Sequence, residues 1–173
     1  MKLDEVLGGL VYVDTNVLYM YLRSDPSHLP VIRAFLSRVV RGEVKACVGA
    51  PVVDELFYRL LLARLKDHTG RNANDVLRED PVRAVSEHGP LVTRVIRQVL
   101  HLPNVSVHGV EEADAYHMLD SIVEFSLLPR DALHLVIMRR LGITDVASDD
   151  ADFDRVPGLN RHWIINPSDK AHV

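Results

Sequence analysis

Leu10-Val11-Tyr12-Val13-Asp14-Thr15-Asn16 is the stretch on which the fold turns. Four apolar residues preceded by Gly8-Gly9 predict a short buried strand. Asp, Thr and Asn all cap helix N-termini, so a helix is expected to start near Asn16 and run through Val17 to Leu22. Related junctions recur along the chain. Val44 to Gly49 precedes Glu55, Val146-Ala147-Ser148 precedes Asp150, and Asp131 opens a helix beginning near Pro129. In an open α/β sheet such positions lie at the carboxyl ends of strands, where ligand crevices form.

Outward from that stretch, strands alternate with helices. Leu29 to Arg41 has a helical period of Ile32, Phe35, Leu36, Val39 and Val40, closed by Gly42. Pro51 suits a first helical position, and that helix is expected to reach about Lys66. Residues 67–80 read as an exposed loop or a loosely packed helical excursion, and Pro81 to Leu100 as a helix broken or kinked at Gly89-Pro90. Val105 to Val107 is a weak third strand. Glu111 to Phe125 reads as an amphipathic helix whose apolar face is Ala115, Met118, Leu119, Ile122 and Val123. A helix from Pro129 to Leu141, a fourth strand at Asp145 to Ser148 and a fifth at Trp163 to Ile165 complete the pattern. Such alternation implies right-handed βαβ units and an α/β fold with a parallel sheet covered on both faces.

Composition sets limits. The 173 residues fit one domain, 1–173, with 67–100 as an excursion within it. A net charge of -4 argues against a strongly basic nucleic-acid binder, although a bound metal and arginines gathered on one face would allow nucleic acid. The single cysteine, Cys47, excludes an internal disulfide and a cysteine zinc cluster. None of the nine histidines pairs with another in HxxxH or HxH spacing. No apolar stretch is long enough to span a bilayer, and Met1 to Gly9 lacks the segments of a signal peptide. A cytoplasmic location, away from the membrane, is expected.

Separate carboxylates meeting in one crevice repel each other unless a cation holds them, and hard ions such as Mg²⁺ take oxygen ligands. A metal-dependent phosphoryl-transfer site is the expectation. Each residue alone has a plainer reading. Asp14 serves as a helix cap, and Glu55, with Asp54 beside it, as a carboxylate favoured by the helix dipole. Asp131 again suits a first helical turn, and Asp149-Asp150-Ala151-Asp152 a solvated loop. His134, one turn beyond Asp131, reads as a packed residue rather than a ligand. Arg130 is a candidate for a substrate phosphate, with Arg59, Arg64 and Arg71 along the approach. Neither a Ser-His-Asp or Cys-His arrangement nor a Gly-rich phosphate loop is apparent.

In order and context these segments resemble the PIN-domain nucleases, and more closely the VapC-type toxins of bacterial and archaeal toxin–antitoxin pairs. The motifs are Val13-Asp14-Thr15-Asn16, Val53-Asp54-Glu55-Leu56, Pro129-Arg130-Asp131-Ala132-Leu133-His134 and Ser148-Asp149-Asp150-Ala151-Asp152-Phe153, spanning roughly residues 10 to 166. The resemblance implies a three-layer α/β/α PIN fold with a mostly parallel sheet of about five strands. It implies an endoribonuclease dependent on Mg²⁺ or Mn²⁺, in which Asp14, Glu55, Asp131 and Asp150 form the acidic quartet that holds metal. Asp152 maps onto an often acidic fifth position, and Asn16 and Ser148 onto polar positions supporting the first carboxylate. RNA would be the substrate and an antitoxin the partner. A homodimer or an antitoxin groove would use apolar residues of Val17 to Leu22 and Ile32 to Val40, for which core packing is the simpler account. The chain departs from the family pattern at Ala50-Pro51, where Ser or Thr is common, and in the length of residues 67–100. The alternatives are a nuclease for RNA maturation or structured DNA with the same site, and a non-catalytic PIN-like interaction module.

Overall fold

The computed structural model describes residues 2, 3, 6 and 8–164. Its strands are β1 (Leu10–Val13), β2 (Lys45–Gly49), β3 (Val105–His108), β4 (Asp145–Ala147) and β5 (Asn160–His162). They pair in parallel throughout, in the order β3-β2-β1-β4-β5. Central strands of a parallel sheet are buried on both faces and read as continuous apolar runs. Val11, Tyr12 and Val13 of β1 and Val146 and Ala147 of β4 are accordingly buried. Tyr12 pairs with Cys47 on one side and Val146 on the other. The fold class is the expected one, an α/β protein around a parallel sheet.

The helices are α1 (Thr15–Leu22), α2 (Leu29–Val40), α3 (Ala50–Thr69), α4 (Ala73–Glu79), α5 (Pro81–Leu100), α6 (Glu112–Phe125) and α7 (Pro129–Arg140). Val17, Leu18, Ile32, Phe35, Leu36 and Val39 all enter the core, while Tyr19 to Leu22 are partly buried and Val40 is exposed. Residues 67–80 are more regular than their composition suggests. α3 continues to Thr69 and stops at Gly70, whose φ of 67° is the left-handed conformation that ends helices. Asn72 and Asp80 then cap α4 and α5 through their side chains. Ala73, Val76 and Leu77 of the segment pack against a small cluster of Leu61 and Leu65 from α3 and Ala84 from α5. α5 runs unbroken past Gly89-Pro90, because Ala84, His88, Val92, Ile96 and Val99 bury one continuous face on both sides of the proline. That burial outweighs the one helical hydrogen bond that Pro90 cannot make.

Two further expectations change. The fifth strand is Asn160–His162, held by register with β4, while Trp163 makes an isolated bridge to Lys2 and Ile165 lies outside the described residues. In α6, Met118 and Ile122 pack against the core, but Ala115, Leu119 and Val123 face solvent. Asp114 and Ser121 are buried instead. The reason is electrostatic. Asp114 completes a capping box with Glu111 and takes Arg140 Nε at 3.1 Å, which fixes the rotation of the helix. Among the described residues no helix is long and apolar enough to cross a membrane.

Candidate active site

Asp14 lies where β1 ends and α1 begins. Its backbone N–H donates to the Ala147 carbonyl at 3.0 Å, extending the β1–β4 pairing by one step. Its Oδ1 accepts the Thr15 N–H at 2.6 Å and its Oδ2 accepts the Ser148 hydroxyl at 2.5 Å. The side chain is buried, and burial raises its pKa to about 6 against the opposing bonds from Ser148 and Thr15. Neighbouring Glu55 and Asp149 push in the same direction as burial.

Glu55 stands in the second turn of α3. Its Oε2 accepts the Thr15 hydroxyl at 3.1 Å and lies 3.3 Å from Arg130 Nη1, while Arg59 Nη1 is 3.8 Å from its Oε1. Asp54 is exposed and also borders the site. Thr15 bonds Glu55, which ties that residue to the segment bearing Asp14. Asp131 occupies the first turn of α7, half-buried, and its pKa is also raised to about 6. Burial is the largest cause, followed by repulsion from Asp150, Asp152 and Glu55. Asp150 caps a short 3-10 helix (Ala151–Arg155), accepting the Asp152 N–H at 2.8 Å, and donates its own N–H to Ser148 Oγ at 3.0 Å.

All four carboxylates of the expected quartet line one cavity of about 890 Å³, with Thr15, Asn16, Asp54 and Arg130 beside them. Its other wall is apolar and includes Val110, Met118, Leu128 and Leu133. Asp131, Asp150 and Asp152 come closest together, each with a carboxylate oxygen within 4.8 Å of the others. Ser148 donates to Asp14. Asn16 does something else: it donates to Asp149 at 2.5 Å and accepts from Arg59, whose guanidinium also lies 4.3 Å from the Tyr19 ring centroid. Thr15 and Asp149 are contributors that the sequence did not single out, because their partners lie 40 and 133 positions away. His134 is buried, not a donor to the cavity, and bonds Tyr12.

The donor set suits a hard divalent cation. It consists of oxygens, it is negatively charged, and the repulsion that raises Asp131 is what a bound cation would relieve.

The chain is similar along most of its length to several known proteins. Ribonuclease VapC13 of Mycobacterium tuberculosis is 25% identical over 154 residues, covering 88% of this chain and 98% of that protein. Among solved structures, VapBC2 from Rickettsia felis, bound to a DNA fragment from their promoter, superposes with a TM-score of 0.59 at 11% identity, covering 89% of this chain and 98% of that one. Mycobacterium tuberculosis VapC20, described as a Sarcin-Ricin loop cleaving toxin, gives 0.56 at 16% identity, covering 91% and 99%. Residues 11–159, which include every carboxylate named above, match the PIN domain model, and the chain belongs to that family.

Proposed function

We propose that this protein is an endoribonuclease dependent on a divalent metal ion, Mg²⁺ or Mn²⁺, and that it is the toxin of a toxin–antitoxin pair. The observation that carries the reading is the convergence of Asp14, Glu55, Asp131 and Asp150 on one cavity at the carboxyl ends of β1, β2 and β4. These four residues, with Asp152, would hold the ion. When bound, the ion supplies an electrophile for the scissile phosphate and activates the attacking water. The rest is done by the chain. Ser148 and Thr15 fix the rotamer of Asp14, and Thr15 also fixes Glu55. Arg130, half-exposed at the rim, would take a phosphate oxygen of the RNA in exchange for Glu55. Val110 and Leu128, both exposed, give the opposite wall an apolar surface.

The ribonuclease and toxin named among the similar proteins support RNA as the substrate, and the Rickettsia assembly supports a partner protein, here an antitoxin. The same reading makes the protein a cytoplasmic homodimer. The test is purified protein on single-stranded RNA, tRNA and flap DNA with Mg²⁺, Mn²⁺ or a chelator. Internal cuts in RNA, lost on chelation, are expected. Cleavage of flap DNA alone would favour the structured-DNA reading, and failure to cut any substrate with either ion would overturn the nuclease reading.

A further inference from the structure

The elements that bear the carboxylates meet at one buried hydroxyl. Tyr12, two residues before Asp14 on β1, is fully buried. Its Oη lies 2.8 Å from Nδ1 of His134, one turn beyond Asp131 on α7. Gly49, which precedes the helix that carries Glu55, packs its Cα against the same hydroxyl. A Cβ at Gly49 would overlap that oxygen and approach Tyr12 Cζ to 3.2 Å. Gly49 has φ −78°, which any residue adopts, so its missing side chain serves this approach and not the backbone.

The directions of the bonds follow. Burial pushes His134 down to about 4 and the Tyr12 phenol well above its usual range, so both are neutral. A phenol that donates its proton to Nδ1 leaves the neutral His134 with its own proton on Nε2. A phenylalanine would fill the same space, so the hydroxyl adds direction rather than bulk.

We propose that Tyr12 is a positioning residue: its hydroxyl, bonded to His134 and packed against Gly49, sets the separation of Asp14, Glu55 and Asp131 and thereby the affinity of the site for its divalent ion. The inference rests on the metal-site reading above. Tyr12 itself touches no substrate.

The experiment is calorimetric titration of Mn²⁺ into full-length wild type, Tyr12→Phe, His134→Leu and His134→Asn, with folding checked by circular dichroism. Tyr12→Phe and His134→Leu are expected to bind Mn²⁺ roughly 10- to 100-fold more weakly, the loss typical when a group that orients metal ligands is removed. His134→Asn, whose amide oxygen can stand in for Nδ1, is expected to keep affinity within about threefold of wild type. At saturating Mn²⁺ the KM for RNA stays unchanged, which a residue contacting RNA would not allow. Wild-type Mn²⁺ affinity in folded Tyr12→Phe overturns the inference, whatever happens to its Tm. Should that variant not fold, equal affinities of the two His134 variants overturn it. A wild-type protein that binds no Mn²⁺ overturns this inference together with the metal site. Binding that is weakened as expected, with no RNA cut by wild type, supports the inference and removes the ribonuclease reading alone.

Discussion

The Ser148 hydroxyl donates to Asp14 at 2.5 Å while its oxygen accepts the N–H of Asp150 at 3.0 Å. One side chain at the end of β4 thus couples the carboxylate of β1 to the acidic loop that follows β4. Ser148→Ala would leave a buried carboxylate oxygen and a partly buried N–H without this partner. We predict a loss of about 1–3 kcal/mol in urea unfolding, with Ser148→Thr close to wild type. A Ser148→Ala protein as stable as wild type would show that the hydroxyl is incidental.

Asp131→Asn should separate activity from stability. Metal-dependent RNA cleavage is expected to fall by at least roughly 100-fold, since a charged ligand is lost. The metal-free protein should melt at the same temperature or higher, because burial, Asp150, Asp152 and Glu55 all disfavour the Asp131 charge. Undiminished cleavage would remove Asp131 from the site, and a lower Tm would contradict the electrostatic account.

The pH dependence has a defined sign. The Asp14 carboxyl titrates near pH 6 in the folded protein against 3.8 for its unperturbed value, so the native state binds the proton more tightly. Metal-free stability therefore declines as pH rises from about 4 to about 6, by on the order of 3 kcal/mol from the buried Asp14 and less from half-buried Asp131. Asp114 and Asp154, whose pKa values are lowered, act the other way and cost stability below about pH 4. Asp14→Asn should flatten the decline in urea midpoints between pH 4.5 and 7. Mn²⁺ affinity should rise through the same interval, because the ion displaces protons. A decline of equal size in Asp14→Asn would refute the assignment.

Arg130 Nη1 lies 3.3 Å from Glu55 and its side chain is 51% exposed. Arg130→Ala should raise the KM for RNA about tenfold, as expected for one lost phosphate contact. Mn²⁺ binding should hold or tighten, because Glu55 loses a competing cation. Weaker Mn²⁺ binding with an unchanged KM would mean that the arginine only orders Glu55.

The proposed homodimer has a candidate face on α6. Tyr116, Leu119 and Val123 are 66%, 59% and 83% exposed at one-turn spacing, an unusual run of large apolar groups in water. Val123→Lys should shift sedimentation from dimer to monomer. A dimer that survives the substitution uses another surface.

Much of the architecture was readable because its physics is local. β1, β2 and β4 are buried on both faces, so they stand out as apolar runs, and the carboxylates stand at their ends. β5 was displaced by a few residues because Asn160-Arg161-His162 has no apolar signature and exists through its register with β4. The face of α6 departs from its apolar pattern because a partly buried Asp114–Arg140 ion pair, 26 residues apart, sets its rotation. At the site, the acidic residues were legible one by one. Thr15, Asp149 and Tyr12 were not, since their contacts to Glu55, Asn16 and His134 lie far away in the chain.

The bond between Asp14 and Ser148 joins residues 134 positions apart. A nascent chain that has not yet delivered β4 therefore owns Asp14, Glu55 and Asp131 but no assembled site. If the protein cuts RNA, as we propose, the order of its residues leaves it harmless until the codons of β4 have been read and the ribosome has moved past them.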